Sequence, residues 1–154
     1  LPYFSGERTP IHDPYARGAF FGLNPTHTRA DMFRAVVEGI AAGTAHVLET
    51  YAEVGASPDR ILAVGGGTKN QLWLQATSDF GQEPQHVCEK TIGASYGDAF
   101  LAACAIGAAQ PQDILTWNPN ATTVQPEKVP AYATQYPLWK RLYTQTKDLM
   151  QALP

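Results

Sequence analysis

The chain has 154 residues, 44% of them hydrophobic and 16% charged, with a formal net charge of -3 at pH 7. That is the composition of one globular domain and excludes a disordered tail. The apolar stretches run only a few residues, short of the roughly 18 that a membrane-spanning helix needs, and the 11 basic residues are scattered, so neither nucleic acid nor an anionic membrane has an electrostatic footprint.

Cys88 and Cys104 have no histidine or second thiol at ligand spacing, so neither a zinc site nor a disulfide framework is indicated. A reducing, cytoplasmic setting is expected. The sequence opens Leu1-Pro2-Tyr3 with no initiator methionine and no apolar leader, and it is expected to begin part-way along its gene.

Residues 1 to 18 mix Gly6, Pro10, Pro14 and Gly18 with Glu7, Arg8, His12, Asp13 and Arg17, the composition of an ordered loop with turns. Ala19-Phe20-Phe21-Gly22-Leu23, closed by Asn24-Pro25, reads as a short strand. Thr28 with Asp31 three residues on forms a capping box, and the spacing of Met32, Phe33, Val36, Val37, Ile40 and Ala41 predicts a helix from about Arg29 to Glu53 that stops at Gly55. Gly39 and Gly43 lie four apart inside it, a strip where another backbone can approach.

Arg60 to Val64 reads as a buried strand feeding the turn Gly65-Gly66-Gly67, and Asn70 to Phe80 as a helix with Leu72, Trp73, Ala76 and Phe80 on one side. A weaker strand is expected near Gln85 to Cys88. Ile92 to Ile106 is small and apolar nearly all round, which predicts a buried helix ending at Gly107. Residues 108 to 133, with Pro111, Pro119, Pro126 and Pro130, are expected to hold little regular structure, and Tyr136 to Leu153 to form a final surface helix. The order strand, helix, strand, helix, strand, helix argues an α/β layered domain with part of its sheet parallel.

No nucleophile declares itself. Ser5, Ser57, Ser78 and Ser95 lack an elbow context, and Asp79, Glu83 and Asp98 fit solvated or capping roles better than acid or base work. The informative stretch is Gly65-Gly66-Gly67-Thr68-Lys69-Asn70 at a strand-to-helix junction. Consecutive glycines expose main chain to a planar ligand or phosphate, and Asn70 offers an amide that both donates and accepts. A plain tight turn explains the glycines equally well. Lys69 is not followed by Ser or Thr and the glycines are not spaced G-x-G-x-x-G, so neither a Walker loop nor a dinucleotide fingerprint is present. A second glycine group, Gly93 to Ala99, suits either close helix packing or a hinge.

Four ordered stretches resemble the C-terminal part of the FGGY family of carbohydrate kinases. They are Gly6-Glu7-Arg8-Thr9-Pro10 with Asp13-Pro14 and Ala16-Arg17-Gly18; Phe21-Gly22-Leu23 running into Thr28-Arg29-Ala30, Arg34-Ala35 and Glu38-Gly39-Ile40-Ala41; Gly65-Gly66-Gly67 with Asn70, Trp73, Gln75 and Ser78-Asp79; and Gly93-Ala94 with Gly97-Asp98-Ala99. Tyr132, Tyr136 and Tyr143 extend the likeness into the tail. The family pattern has a second alanine near Gly93-Ala94, where this chain has Ser95 and the bulkier Tyr96.

The resemblance implies an ATP-dependent kinase acting on a sugar or polyol hydroxyl, most like the xylulose kinase branch, with a partial ribonuclease H-like (actin-like ATPase) C-terminal lobe over residues 1–154. It assigns Gly65, Gly66 and Gly67 to the adenosine end of ATP, places Asn70 facing the base, and makes the Gly93 to Ala99 helix a pivot between lobes. It also implies that the catalytic base, the sugar site and the Mg ligands belong to an N-terminal lobe and to first strands that this sequence lacks, so the chain alone is expected to be inactive. The Phe20 strand would then miss its neighbour, and self-pairing into a homo-oligomer is the expected consequence. The competing reading is a non-catalytic nucleotide-binding or interaction module.

Overall fold

The computed structural model describes all 154 residues. Helix α1 (Arg29–Glu53) starts on the predicted capping box: Thr28 accepts from the Asp31 amide while the Asp31 carboxylate accepts from the Thr28 amide at 2.8 Å. These reciprocal bonds satisfy two amides that a helix start otherwise leaves open. Hydrogen bonds from Thr28 hold the Asp31 carboxyl below its ordinary range. The helix buries Val37, Ala41, Ala42 and Ala45, one stripe at helical spacing.

After α1 come β1 (Ile61–Ala63), a 3₁₀ turn over Gly66–Lys69, α2 (Gln71–Gly81) and β2 (Gln85–Cys88). Then follow α3 (Gly93–Ala105), a short 3₁₀ turn at Pro111–Asp113, α4 (Ile114–Trp117), β3 (Asn120–Val124) and α5 (Pro130–Gln151). The sheet has the order β1-β2-β3. Strands β1 and β2 run parallel with Ile61 opposite Gln85, and β3 is antiparallel to β2 with Val124 opposite Gln85. The parallel pair requires a crossover, and α2 supplies it.

The core sits between α1 and α2, where Val37, Ala41 and Ala76 are packed by Leu72, Trp73 and Phe80. A methyl group at Gly81 would fall 3.0 Å from a Leu48 methyl, so the end of α2 lies close against α1. A polar network fixes α2 to the sheet. Gln85 donates to the Leu74 carbonyl at 2.7 Å and to the Ser78 hydroxyl at 2.9 Å, and Ser78 donates to the Val124 carbonyl at 3.1 Å. Helix α5 is tied to the rest of the chain by long side chains. Tyr132 donates to Glu38, Tyr136 and Lys140 donate to Glu49, and Tyr143 donates to Asp13, all at 2.7 to 2.8 Å.

Five expectations change. The strand after Gly55 is not buried, since Leu62 and Val64 are exposed. Residues 19 to 23 form no strand: Ala19 exchanges main-chain hydrogen bonds with Leu1, and beyond it Phe20, Phe21 and Leu23 are exposed while Gly22 turns the chain at φ +77°. The strand, helix, strand order therefore begins with a helix, and the unpaired Phe20 edge invoked for self-pairing is not there. Helix α3 is placed as predicted but is exposed: Phe100 is its one buried residue, while Leu101 and Ile106 are 64% and 82% exposed. From α4, Trp117 leans on it, stacked edge-on to Phe100 at 5.1 Å.

The region from 108 to 133 is more regular than expected, because Asn120–Val124 finds β2 as a partner and satisfies its main chain there. Helix α5 begins at Pro130 rather than near Tyr136. Proline is well placed in a first turn, where its missing N–H is not needed, and the helix continues through Pro137. No helix is long and apolar enough to cross a membrane.

Candidate nucleotide site

Two turns meet at the carboxyl end of the parallel pair. One leaves β1 through Val64 and Gly65 into the 3₁₀ turn and α2; the other leaves β2 through Glu89 to Ile92 into α3. They are joined by the Gly65 amide, which donates to the Thr91 carbonyl at 2.7 Å. Asn118 braces the second turn, accepting from the Lys90 amide at 3.0 Å and donating to the Lys90 carbonyl at 2.7 Å. In open α/β sheets the crevice outside the carboxyl ends of the strands is where ligands bind.

The three glycines serve three different ends. Gly65 takes φ 89° and ψ -175°, a conformation essentially restricted to glycine. Its carbonyl accepts from the Thr68 hydroxyl at 2.7 Å and from the Thr68 amide at 3.2 Å, which closes the turn. Gly66 is exposed, and a methyl group there would meet no atom within 4 Å. Gly67 lies against the Trp73 indole, where a methyl group would come within 3.1 Å of the ring. The bare main chain available to a ligand is therefore Gly65 and Gly66, and Gly67 is a packing requirement.

Asn70 is the N-cap of α2, its side-chain oxygen accepting from the Trp73 amide at 3.2 Å. From sequence, this amide could both donate to a ligand and accept from it. The structure divides the two roles: the oxygen is engaged by the helix and the NH₂ group is left to donate. Lys69 and Lys90 are exposed on the two turns. Thr91, which ties the two turns together, and Asn118, which braces the second, carry no sequence pattern that marks them; only the folded chain brings them to the site.

The carboxylates named from sequence separate clearly. Asp79 is buried and accepts from the Glu127 amide and the Gln75 amide group, both at 2.7 Å, so it organises the α2 to β3 region. Glu83 and Asp98 are exposed, as are Ser5, Ser57 and Ser95, while Ser78 is enclosed in the polar network. In the second glycine group, a methyl group at Gly93 or Gly97 would meet nothing within 4 Å, so no helix of this chain packs on them. Tyr96 instead donates to the Trp117 carbonyl at 3.2 Å.

The Gly6 to Gly18 motif is folded onto α5. Asp13 accepts from the Tyr143 hydroxyl and from the Tyr15 amide, each at 2.8 Å, and these bonds hold its carboxyl below the ordinary carboxylate range.

Known kinases are similar to this chain in sequence and fold. The xylulose kinase of Bacillus subtilis (strain 168) is 34% identical over 161 residues, covering 99% of this chain and 31% of the relative. The xylulose kinase of Escherichia coli (strain K12) is 33% identical over 157 residues, covering 97% of this chain and 32% of the relative. The crystal structure of xylulose kinase from Rhodospirillum rubrum superposes with a TM-score of 0.80 at 29% identity, over 98% of this chain and 31% of that one. The chain thus spans about a third of the length of the curated relatives it matches. The family model for the C-terminal domain of the FGGY carbohydrate kinases matches residues 1–106, and the chain belongs to that family.

Proposed function

We propose that this chain holds the adenosine end of ATP on the Gly65–Gly66 main chain, with the Asn70 NH₂ group donating to the base, in the phosphorylation of a sugar or polyol hydroxyl. The observation that carries the reading is the open face at Gly65 and Gly66. A methyl group at either position would have no atom within 4 Å, which leaves room for a planar ring against bare backbone. Its location at the carboxyl end of β1 and β2 supports it further. When bound, ATP supplies the phosphoryl group. The chain's own part is to bind and orient: the Gly65–Thr91 bond and the Asn118 clasp keep the two turns fixed, so little ordering is left to occur on binding.

The architecture we assign is a ribonuclease H-like lobe, and the substrate class is a pentulose, following the xylulose kinase relatives. The proton acceptor for the sugar hydroxyl belongs, in this reading, to the part of such kinases that the chain does not match. The magnesium ligands belong, in this reading, to that same part.

Isothermal calorimetry with ADP tests the reading on the wild type and on Asn70→Ser, which keeps a capping oxygen and loses the amide donor. Saturable binding weakened several-fold by the substitution is expected. Equal affinity removes Asn70 from the site, and no binding to the wild type removes the nucleotide reading.

A further inference from the structure

The motif around Arg8 is not used by the nucleotide turn, and its geometry is that of a site. Residues 7 to 13 form a tight hairpin in which Glu7 and Asp13 exchange main-chain hydrogen bonds, each 2.8 Å. Gly6, at φ +83°, lies so close to Pro14 that a methyl group would fall 2.7 Å from the proline main chain. The Arg17 guanidinium donates to the carbonyls of Pro14 and Ala16, both at 3.0 Å, and Tyr143 holds Asp13 from α5. All of these groups are spent on the loop itself.

Arg8 and His12 are not. They line a cavity of about 470 Å³ together with Ser5, Gly6, Glu7 and Pro14, whose ring is its one apolar side chain. The chain's ion pairs are Arg34–Glu38 and Lys140–Glu49, so the Arg8 guanidinium has no carboxylate partner. Glu7 is the one acid present, and one of its oxygens already accepts from the Arg8 and Thr9 amides at 2.8 and 3.3 Å. A planar guanidinium fork beside an imidazole and a hydroxyl matches the oxygens of a phosphate. A neutral sugar would want an aromatic wall for its C–H faces, and no aromatic residue lines this cavity.

We propose that the Arg8–His12 hairpin is a phosphate subsite that takes a terminal phosphate dianion, with Arg8 as its principal ligand. The dianion has two sources in a carbohydrate kinase family, the end of a nucleotide and a phosphorylated sugar. The proposal stands whether or not Gly65 and Gly66 bind adenosine.

The test is an NMR titration of the full chain with inorganic phosphate at constant ionic strength, on the wild type, Arg8→Gln, His12→Asn and Arg29→Gln. Saturable shifts confined to residues 5–14, weakened at least tenfold in Arg8→Gln and unchanged in Arg29→Gln, are expected. The Arg8 side chain is exposed and makes no hydrogen bond, so an unchanged melting temperature separates lost binding from lost folding. Titrations with ADP and with a pentulose phosphate identify the source by which one moves residues 5–14 at the lower concentration. Absence of saturable shifts there with inorganic phosphate, or equal affinity in Arg8→Gln, overturns the proposal.

Discussion

Gly65 and Thr91, from two different strand ends, are joined by a main-chain hydrogen bond of 2.7 Å. The bond locks the turn after β1 to the turn after β2, so the glycine face cannot drift from the start of α3. A glycine is required at the donor end because Gly65 stands at φ 89°. The neighbouring Gly66 has no such duty, and this difference separates folding from binding at adjacent positions.

Gly65→Ala is expected to cost on the order of 1–3 kcal/mol, the usual strain of a non-glycine residue in that region. Gly66→Ala is expected to stay within about 0.5 kcal/mol of the wild type, as for a surface change that touches nothing. Urea unfolding of the two variants measures the contrast. Gly67→Ala falls between them, because the Trp73 ring at 3.1 Å must give way.

Asn70→Ala should lose the α2 cap and about 1 kcal/mol, or roughly 2–4 °C in melting temperature for a chain of this size. Asn70→Ser should restore most of it. A thermal melt of both variants checks this, and it shows why alanine alone is a poor probe of nucleotide binding at this position.

Asp79→Ala is expected to destabilise by about 2 kcal/mol, because it leaves the Glu127 amide without its charged acceptor. Asp79→Asn, which keeps an acceptor oxygen, should lose less. Equal losses in chemical denaturation would contradict the structural role given to this carboxylate.

Stability should depend on pH in two windows. Burial favours neutral His46, lowering its pKa from 6.5, with Trp139 edge-on at 6.1 Å, Lys140 opposing protonation, and Glu49 and Glu53 favouring it. The unfolded chain therefore binds the proton more readily, and stability falls as pH drops below about 6.5. Asp13, whose folded pKa is depressed from 3.8, stabilises fully above that value and loses its contribution as pH falls through the folded pKa. His46→Gln should flatten the upper window and Tyr143→Phe should shrink the lower one, measured as melting temperature from pH 2 to 8.

Much of this fold is legible locally. The Thr28–Asp31 box and the spacing of Val37 and Ala41 define α1 to the residue, because a cap and a stripe are short-range signals. What failed depends on partners. Phe20 and Phe21 have strand-like side chains but no adjacent main chain to pair with, whereas polar Asn120–Val124 becomes a strand because β2 lies beside it. The apolar composition of α3 suggested burial, yet nothing in the sequence tells which of its faces another element covers. At the candidate site the glycines and Asn70 stand out as a motif. That Gly67 serves Trp73, and that Asn70 has given its oxygen to α2, emerges only from the packing.

The most direct measurement is the affinity of ADP for the Gly66→Ala variant beside the wild type, read by calorimetry with both proteins equally stable in urea. Saturable binding to the wild type and at least a tenfold loss in Gly66→Ala are predicted, because the new methyl occupies the space against bare backbone where the base is to lie. Equal affinity in the two proteins would contradict adenosine binding on this face.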